Sequence, residues 1–430
     1  MAQETNAIYQ KLVKLIKSKE LKLAPNPFLR PEYQLRYYQT QGVAHIYMVK
    51  RFILGDDCGL GKCCIPSTKV ITPRGVVRLD DKALWNTKEA YTNRKEDTFY
   101  NTPRGTKLAS DGIKEAPQIY SGGVKPTIKF TTKLGTHAQC THHHKWKVMM
   151  PSGKIEWVET RNLKEGYKIA VGRGQNVWGY KSLDSDEAWL LGFIVGDGHY
   201  NIYSNEKKTQ YTLGITNTDP FLIEKCIRIS EKYFSNPKNS KRKKRKEKYK
   251  EITDIWESGK ENVQKLFKKY KLKQGQTAEF KTIPEIIKGS NKTTFCSFLQ
   301  GLFDADGFIG KDGTIELCLA TKDVIEDTQL YLLNMGIVSR VTKKYNKKYK
   351  KYYYNLRILE VSGKKKFHNW IGFSCPHKKE RLAKIVNLDR VSNQTRDIIP
   401  HQHKKIKSIF DSIPKIYHNH AEVDKCYLLN

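Results

Sequence analysis

The segment TFCSFLQGLFDADGFIG, residues Thr294–Gly310, is an apolar run that ends in a small residue, an aspartate and a glycine. The segment DEAWLLGFIVGDGHY, residues Asp186–Tyr200, has the same pattern. Both are long enough to form a helix, and Gly307 follows Gly198 by 109 residues. That spacing is too long for a solenoid repeat. The pair therefore predicts a two-fold internal duplication.

Both segments contain small residues, which are Gly192, Gly196, Gly301 and Ala305. Such residues predict two helices that approach closely along a shared axis. The carboxyl-terminal ends of these helices would bring Asp197 and Asp306 together. Two adjacent carboxylates repel each other, so a divalent cation should bridge them. The sequence therefore predicts a metal site at Asp197 and Asp306.

Both segments resemble the LAGLIDADG motif, the second nearly in full as LQGLFDADG. The resemblance implies a pseudo-two-fold αββαββα homing endonuclease that makes site-specific double-strand cuts in DNA. In such an enzyme Asp197 and Asp306 would be catalytic and would bind Mg²⁺. The stretch EFKTIPEII, Glu279–Ile287, resembles the K-x-I-P block of intein endonucleases, which implies a catalytic role for Lys281.

Charge composition favours a nucleic acid partner. The chain has 78 Lys and Arg against 44 Asp and Glu, a net charge of +34, and such an excess indicates a polyanion. The strongest basic runs are Ser240–Lys250 and Thr342–Tyr354; the first also fits a nuclear localisation signal. The resemblance implies that both runs contact the phosphates of double-stranded DNA from a β saddle. It also implies that tyrosines pack beneath this saddle: Tyr345, Tyr349 and Tyr352–Tyr354.

From Cys63 onward the chain changes to short strands with turn signals, which predicts an all-β domain. Thr68 is the sixth residue from Cys63, and CTHHHKWKV contains a T-x-x-H motif at Thr141–His144. This order resembles the N-terminal splicing blocks of an intein with a Hint-type fold. It implies that Cys63 attacks the preceding carbonyl while Thr141 and His144 assist. Cys64 is the alternative nucleophile, and the position of Thr68 favours Cys63.

A Gly-rich turn precedes this domain. The segment DDCGLGK, ending at Lys62, resembles motif I of superfamily 2 helicase-like ATPases, and LRYYQ resembles their adenine-reading segment. The resemblance implies an ATP site formed by Gln39, Gly59, Gly61 and Lys62. The intein-like segment interrupts this site after Lys62, before the Thr or Ser that would bind Mg²⁺. The site would therefore be active only in the reassembled ATPase, which is the host protein of the insertion. DEAW, at Asp186–Trp189, follows a polar segment, so we interpret it as a helix cap and first turn rather than a Walker B acid.

The resulting prediction is a mixed α+β, multidomain chain. Residues 1–62 form a short α/β fragment of the helicase-like ATPase, and residues 63–180 form the N-terminal part of the splicing domain. Residues 181–410 form the endonuclease, with repeats at about 186–290 and 291–400. In the tail, 411–430, the closing splicing block is not recognisable. Three interpretations stay open: a fragment, one half of a split intein, or a decayed copy. A split intein would have a C-terminal intein fragment in trans as its partner.

Other features limit the class of protein. The nine Cys lack CxxC pairs, so neither a zinc ribbon nor a disulfide framework is indicated. The absence of a long apolar run and of a signal peptide predicts a cytoplasmic protein without membrane contact. Two alternatives stay open: a DNA-dependent ATPase or helicase fragment, and a basic nucleic-acid-binding module without catalysis.

Overall fold

The computed structural model describes residues 64–81, 90–92, 98–102, 106–110, 112–116, 118–204, 209–243, 251–272, 281–387 and 402–412. The predicted ATPase fragment lies outside this set. Among the described residues, no helix combines the length and the apolar character needed to cross a membrane.

The described residues before position 184 form short strands and one 3₁₀ turn, at Thr160–Asn162, which agrees with the predicted all-β region. Its strands are β1 (Lys69–Thr72), β2 (Gly75–Arg78), β3 (Ala90–Thr92), β4 (Thr98–Asn101), β5 (Lys107–Ser110), β6 (Gly112–Glu115), β7 (Gln118–Ser121), β8 (Thr127–Thr131), β9 (His137–Thr141), β10 (Lys145–Met149), β11 (Ile155–Glu159) and β12 (Lys168–Ile169). All pairings among them are antiparallel, in the groups β1-β2, β3-β4-β7, β5-β6, β8-β9 and β11-β10-β12.

Two consecutive αββαββα units follow, so the predicted duplication is confirmed. The first contains α1 (Ser185–Asp197), β13 (Gly198–Ser204), β14 (Thr209–Asn217), α2 (Pro220–Tyr233), β15 (Lys238–Lys243), β16 (Glu251–Ser258) and α3 (Lys260–Tyr270). After a short α4 (Glu285–Lys288), the second contains α5 (Lys292–Asp306), β17 (Gly307–Ile309), β18 (Ile315–Leu319), α6 (Lys322–Asn334), β19 (Arg340–Asn346), β20 (Lys351–Ile358) and α7 (Val361–Trp370). Helices α8 (Pro376–Asn387) and α9 (His403–Ser412) come last.

Each unit has one antiparallel four-stranded sheet, and the two sheets have the same topology. Their strand orders are β13-β14-β16-β15 and β17-β18-β20-β19, with β15 and β19 as the corresponding edge strands. In β18 the residues Ile315, Leu317 and Leu319 are buried, while Glu316 and Cys318 on the opposite face are not. Each sheet therefore packs one face on the helices and leaves the other accessible.

Helices α1 and α5 pack backbone against backbone at two related glycines. A Cβ on Gly192 would lie 1.9 Å from the carbonyl oxygen of Phe298, and a Cβ on Gly301 would lie 1.9 Å from that of Trp189. A side chain at either position would force the helices apart. The small residues therefore permit the close approach that the sequence predicts.

Both helices are capped at the start and end in the same way. The side chain of Asp184 accepts a hydrogen bond from the Asp186 N–H, and that of Asn291 accepts one from the Thr294 N–H. The capping residue of α1 is therefore Asp184, whereas the sequence prediction placed the cap within Asp186–Trp189. At the other end, an Asp–Gly pair leads directly into the next strand.

The all-β region packs on α6 of the second unit. Lys69 Nζ lies 2.7 Å from Asp327 Oδ1, and the Val76 N–H donates to the hydroxyl of Tyr331 at 3.0 Å. Asn334 pairs through its side chain with both backbone groups of Val177, at 2.9 and 3.0 Å. These contacts satisfy polar groups that α6 would otherwise bury unpaired.

Candidate active site

Asp197 and Asp306 are the last residues of α1 and α5, and the helix packing brings them to one place. A Cβ on Gly196 would lie 3.1 Å from Asp306 Oδ2 and 2.6 Å from Ala305 Cβ. The sequence prediction that these two acids meet is therefore borne out by their geometry. Their catalytic role stays a prediction.

The two acids are buried and repel each other. Burial raises the pKa of Asp306 to about 7, and the negative charge of Asp197 adds to this effect. Burial also raises the pKa of Asp197, but Asn217 Nδ2 donates to Asp197 Oδ2 at 2.6 Å and opposes the rise. A site that makes ionised carboxylates this costly favours a bound cation.

Two lysines approach the ends of these helices. Lys281 Nζ donates to the carbonyl oxygens of Gly196 and Gly198, at 2.8 and 2.7 Å, on either side of Asp197. Lys378 Nζ donates to the carbonyl oxygen of Asp304 at 2.8 Å, near Asp306. Burial lowers the pKa of both lysines, while neighbouring carboxylates oppose that effect. Each helix end therefore has one lysine bound to its carbonyl groups, and the charges of both lysines act on both acids.

The donor set fits Mg²⁺. Asp197 and Asp306 supply hard carboxylate oxygens, which Mg²⁺ prefers, and their mutual repulsion is relieved by a divalent charge. These two residues would hold the ion. Lys281 and Lys378 are already engaged with helix carbonyls, which leaves the carboxylates as the ligands of the site.

The accessible faces of the two sheets carry the predicted basic runs at corresponding places. Ser240–Lys243 lies on the edge strand β15, and Thr342–Asn346 lies on the edge strand β19. In the β19–β20 hairpin the lysines are exposed: Lys343, Lys344, Lys347, Lys348, Lys350 and Lys351. This places positive charge along the edges of both sheets.

Three tyrosines of that hairpin differ from the expectation that they pack beneath the saddle. Tyr345, Tyr349 and Tyr352 are 48%, 55% and 48% exposed. Tyr345 and Tyr352 stack edge to face at 5.0 Å, and Lys343 Nζ lies 3.6 Å from the centre of the Tyr352 ring. The prediction is wrong for these three because the hairpin extends beyond the helices that would cover it. Tyr354, nearer the helices, does pack against the core.

The predicted splicing residues lie in the all-β region. Thr141 ends β9, and the His144 N–H donates to the Thr141 carbonyl oxygen at 3.1 Å. Thr160 fixes the same turn, since its N–H and its hydroxyl both donate to the His144 carbonyl oxygen, at 2.7 and 2.9 Å. The backbone of Cys64, the alternative nucleophile, forms an isolated antiparallel β-bridge with the backbone of Cys140, one residue before Thr141. Both thiols are free. Cys63 lies outside the described residues.

The predicted ATP-site residues also lie outside the described part of the chain: Gln39, Gly59, Gly61 and Lys62. Conversely, sequence reasoning missed Lys378 and Asn217. Lys378 belongs to a chain with 78 Lys and Arg, and no motif marks it. Aligning the two units by their strands would have suggested a second lysine after α7.

A family model supports the fold of the second unit. Residues 295–372 match the family model described as a LAGLIDADG-like domain. This match and the duplicated αββαββα order give the second half of the chain a LAGLIDADG endonuclease-like fold. The crystal structure of I-DmoI in complex with DNA and Mn is similar at 19% identity and a TM-score of 0.34, over 44% of this chain and 96% of that one.

Two curated relatives have unrelated names. The replication factor C small subunit of Methanocaldococcus jannaschii is 30% identical over 382 residues, 88% of this chain. The NrdEB subunit alpha of ribonucleoside-diphosphate reductase from Bacillus subtilis is 27% identical over 292 residues, 65% of this chain. The chain spans only 19% of the first relative and 26% of the second.

Proposed function

We propose that this chain is a site-specific homing endonuclease that cuts both strands of DNA with Asp197 and Asp306 as its catalytic acids. The observation that carries the proposal is the meeting of these two buried carboxylates at the ends of two helices related by duplication. A Mg²⁺ ion bound there would supply an activated water and stabilise the leaving alkoxide.

The chain's own residues supply the remaining requirements. The lysines hold the helix ends in place and add positive charge beside the acids. The accessible sheet faces and their exposed lysines would contact the phosphates of a duplex. The two-fold arrangement suits a substrate whose two strands are also related by two-fold symmetry.

The test substrate is the uninterrupted gene of the predicted ATPase, in which the codons on either side of the insertion point, after Lys62, are joined. With Mg²⁺ the chain should linearise a plasmid that carries that gene. Asp197→Asn or Asp306→Asn should lower cleavage by roughly a thousandfold and retain DNA binding, because only the metal ligands change. Asp411→Asn, an exposed acid on α9, is the matched control and should cut normally.

Full cleavage by both active-site variants would refute the assignment. Cleavage at another sequence only would refute homing to this gene while keeping the nuclease. DNA binding without metal-dependent nicks on any substrate would favour the alternative of a basic binding module.

We also propose that the endonuclease is carried by an intein, with Cys63, Thr141 and His144 as its first splicing residues. Two observations support this. The backbone β-bridge between Cys64 and Cys140 brings the beginning of the all-β region beside the T-x-x-H turn. The similar segments occupy small parts of two proteins with unrelated names, as expected of an insertion that moves between hosts.

The intact mass of the chain, alone and with thiol, tests the splicing proposal. Attack by Cys63 would form a thioester, and thiol should then release residues 1–62. Cys63→Ala should block release and Cys64→Ala should not; release that persists in Cys63→Ala would transfer the role to Cys64. A C-terminal intein fragment added in trans should ligate residues 1–62 to a Thr or Ser segment and restore GLGKT or GLGKS.

The host interpretation, a helicase-like ATPase, is tested separately. In the reassembled host, ATP hydrolysis should require Lys62. DNA-stimulated hydrolysis by this chain alone, lost in Lys62→Ala, would instead favour the alternative of a working ATPase fragment.

A further inference from the structure

Three side chains with metal-binding atoms converge beside Lys378, and none of them is one of the paired acids. Asn217 links the two groups: it accepts the Asp219 N–H and donates to Asp197. Asp219 caps α2 in the first unit, while Cys375 and His377 flank the Pro376 that begins α8. Cys375 Sγ lies 3.4 Å from Asp219 Oδ2 and 3.1 Å from His377 Nδ1, and the latter lies 3.8 Å from Asp219 Oδ2. The cluster therefore joins two segments that are 156 residues apart.

These distances match the edges of a tetrahedral site. Zinc bonds of about 2.0–2.3 Å place tetrahedral ligands roughly 3.3–3.8 Å from one another. The three observed separations fall in or next to this range. A cation could therefore be bound with small adjustments of the three side chains.

The surrounding structure holds the donors in place. Asp219 Oδ1 accepts the Leu222 N–H at 3.2 Å, which leaves Oδ2 toward the thiol. The carboxylate of the buried Asp304 accepts the backbone N–H groups of Ser374 and Cys375, at 3.0 and 3.4 Å to Oδ1. Outer hydrogen bonds of this kind orient ligands and strengthen metal binding.

The fold does not need these residue types at this place. In the second unit Thr321 caps α6, as Asp219 caps α2 in the first. The Thr321 hydroxyl donates to the Lys281 carbonyl oxygen at 2.9 Å, so a single hydrogen bond connects the cap to the segment that carries the lysine. The residues three and one before Lys281 are Ala278 and Phe280, whereas those three and one before Lys378 are Cys375 and His377. Metal-binding chemistry is thus added on one side of the duplication.

We propose that Asp219, Cys375 and His377 bind a zinc-class divalent cation, with solvent in the fourth position. A thiolate, an imidazole and a carboxylate suit Zn²⁺, while Mg²⁺ does not use sulfur ligands. On binding, the Cys375 thiol releases its proton to solvent. Because Lys378 follows His377 directly, the bound cation would also fix the lysine that reaches the Asp304 carbonyl near Asp306.

Cobalt titration of the metal-free full chain tests this site without any cleavage assay. One equivalent of Co²⁺ should give four-coordinate visible bands and a thiolate-to-cobalt charge-transfer band, and Zn²⁺ should displace it while excess Mg²⁺ should not. Cys375→Ser should remove the charge-transfer band. His377→Gln and Asp219→Asn should each weaken binding by about tenfold or more; asparagine retains the helix cap.

Cys318→Ser is the matched control, since Cys318 is exposed and lies outside the cluster. It should keep both the stoichiometry and the charge-transfer band. No stoichiometric binding, or a charge-transfer band that survives in Cys375→Ser, would overturn the proposal. An unchanged affinity in both His377→Gln and Asp219→Asn would also overturn it. Because the readout is metal binding, these outcomes are independent of whether the chain cuts DNA.

Discussion

The two αββαββα units share their helix packing but differ around it. Gly192 and Gly301 make equivalent contacts across the α1–α5 interface, so the two units contribute to this interface in nearly the same way. At the flanks, Asn217 donates to Asp197, whereas Leu319 occupies the matching strand position in the second unit. The all-β region covers α6, and the Asp219–Cys375–His377 cluster lies against α2.

This difference shows which positions the duplication constrains. The helix contact and the two acids must match, because each helix is the other's packing surface. The flanks contact different neighbours, so each unit acquires its own hydrogen bonds there. The symmetry of the site is therefore strictest where the two backbones touch.

Substituting the interface glycines should have the largest effect. Gly192→Ala or Gly301→Ala should each lower the free energy of unfolding by roughly 3 kcal/mol, since the new methyl meets backbone atoms that cannot move independently. The double variant should lose roughly 6 kcal/mol, which is comparable to the whole free energy of unfolding of a marginally stable domain, and should be largely unfolded. Urea denaturation followed by circular dichroism measures the change.

Gly363→Ala on α7 is the matched control for the glycine variants. There a Cβ would meet the Ile358 methyl at 3.1 Å, a side-chain atom that can adjust. It should change stability little. Equal small effects at all three glycines would contradict the backbone contact.

The acids should make the metal-free chain less stable as pH rises. The pKa of Asp306 is raised to about 7, above the roughly 3.9 of an unfolded aspartate. Below about pH 4 the carboxyl is protonated in both states and costs nothing; above pH 7 ionisation costs the folded state on the order of 4 kcal/mol. Denaturation in chelator across this range should show the loss, and Mg²⁺ should restore stability.

Two variants sharpen that comparison of the acids. Asp306→Asn should flatten the pH dependence between about pH 4 and 7. Asn217→Leu gives Asp197 the same kind of neighbour as Asp306 and should enlarge the pH dependence. An unchanged pH profile in Asp306→Asn would show that other groups cause it.

Removing one lysine should slow the cleavage of one DNA strand more than that of the other. Lys281→Met or Lys378→Met should slow cleavage of one strand by roughly a hundredfold, because each lysine serves one helix end. A supercoiled plasmid should then accumulate as the nicked form. Wild-type linearisation by either variant would refute a role for that lysine.

The contact of the all-β region with α6 should give the smallest effect. Lys69→Met leaves the buried Asp327 with Lys288 at 3.6 Å as a cation neighbour and should cost roughly 2 kcal/mol. Arg78→Met, which breaks an exposed pair with Asp80, should cost below about 0.5 kcal/mol. Thermal denaturation compares the two, and equal losses would argue against the buried contact.

Much of the fold followed from local sequence. The duplicated apolar segments with small residues predicted α1, α5 and their close approach, because helical periodicity and backbone access depend on residues near in the chain. The pairing of Asp197 with Asp306 followed from the same pattern. The sequence showed the basic runs, and their place on the sheets followed from the family resemblance, but the exposure of Tyr345, Tyr349 and Tyr352 was not predicted.

By itself, the sequence determined the repeat, the paired acids and the all-β region before them, since these depend on local periodicity and on recognisable segments. Tertiary structure alone decided which of many lysines reaches the carbonyl groups at the end of α5. It also decided which acid receives an amide donor, and that Asp219 meets Cys375 and His377. Those groups are distant in the chain and belong to common residue types. Their positions depend on how two units pack, and short-range patterns do not encode that packing.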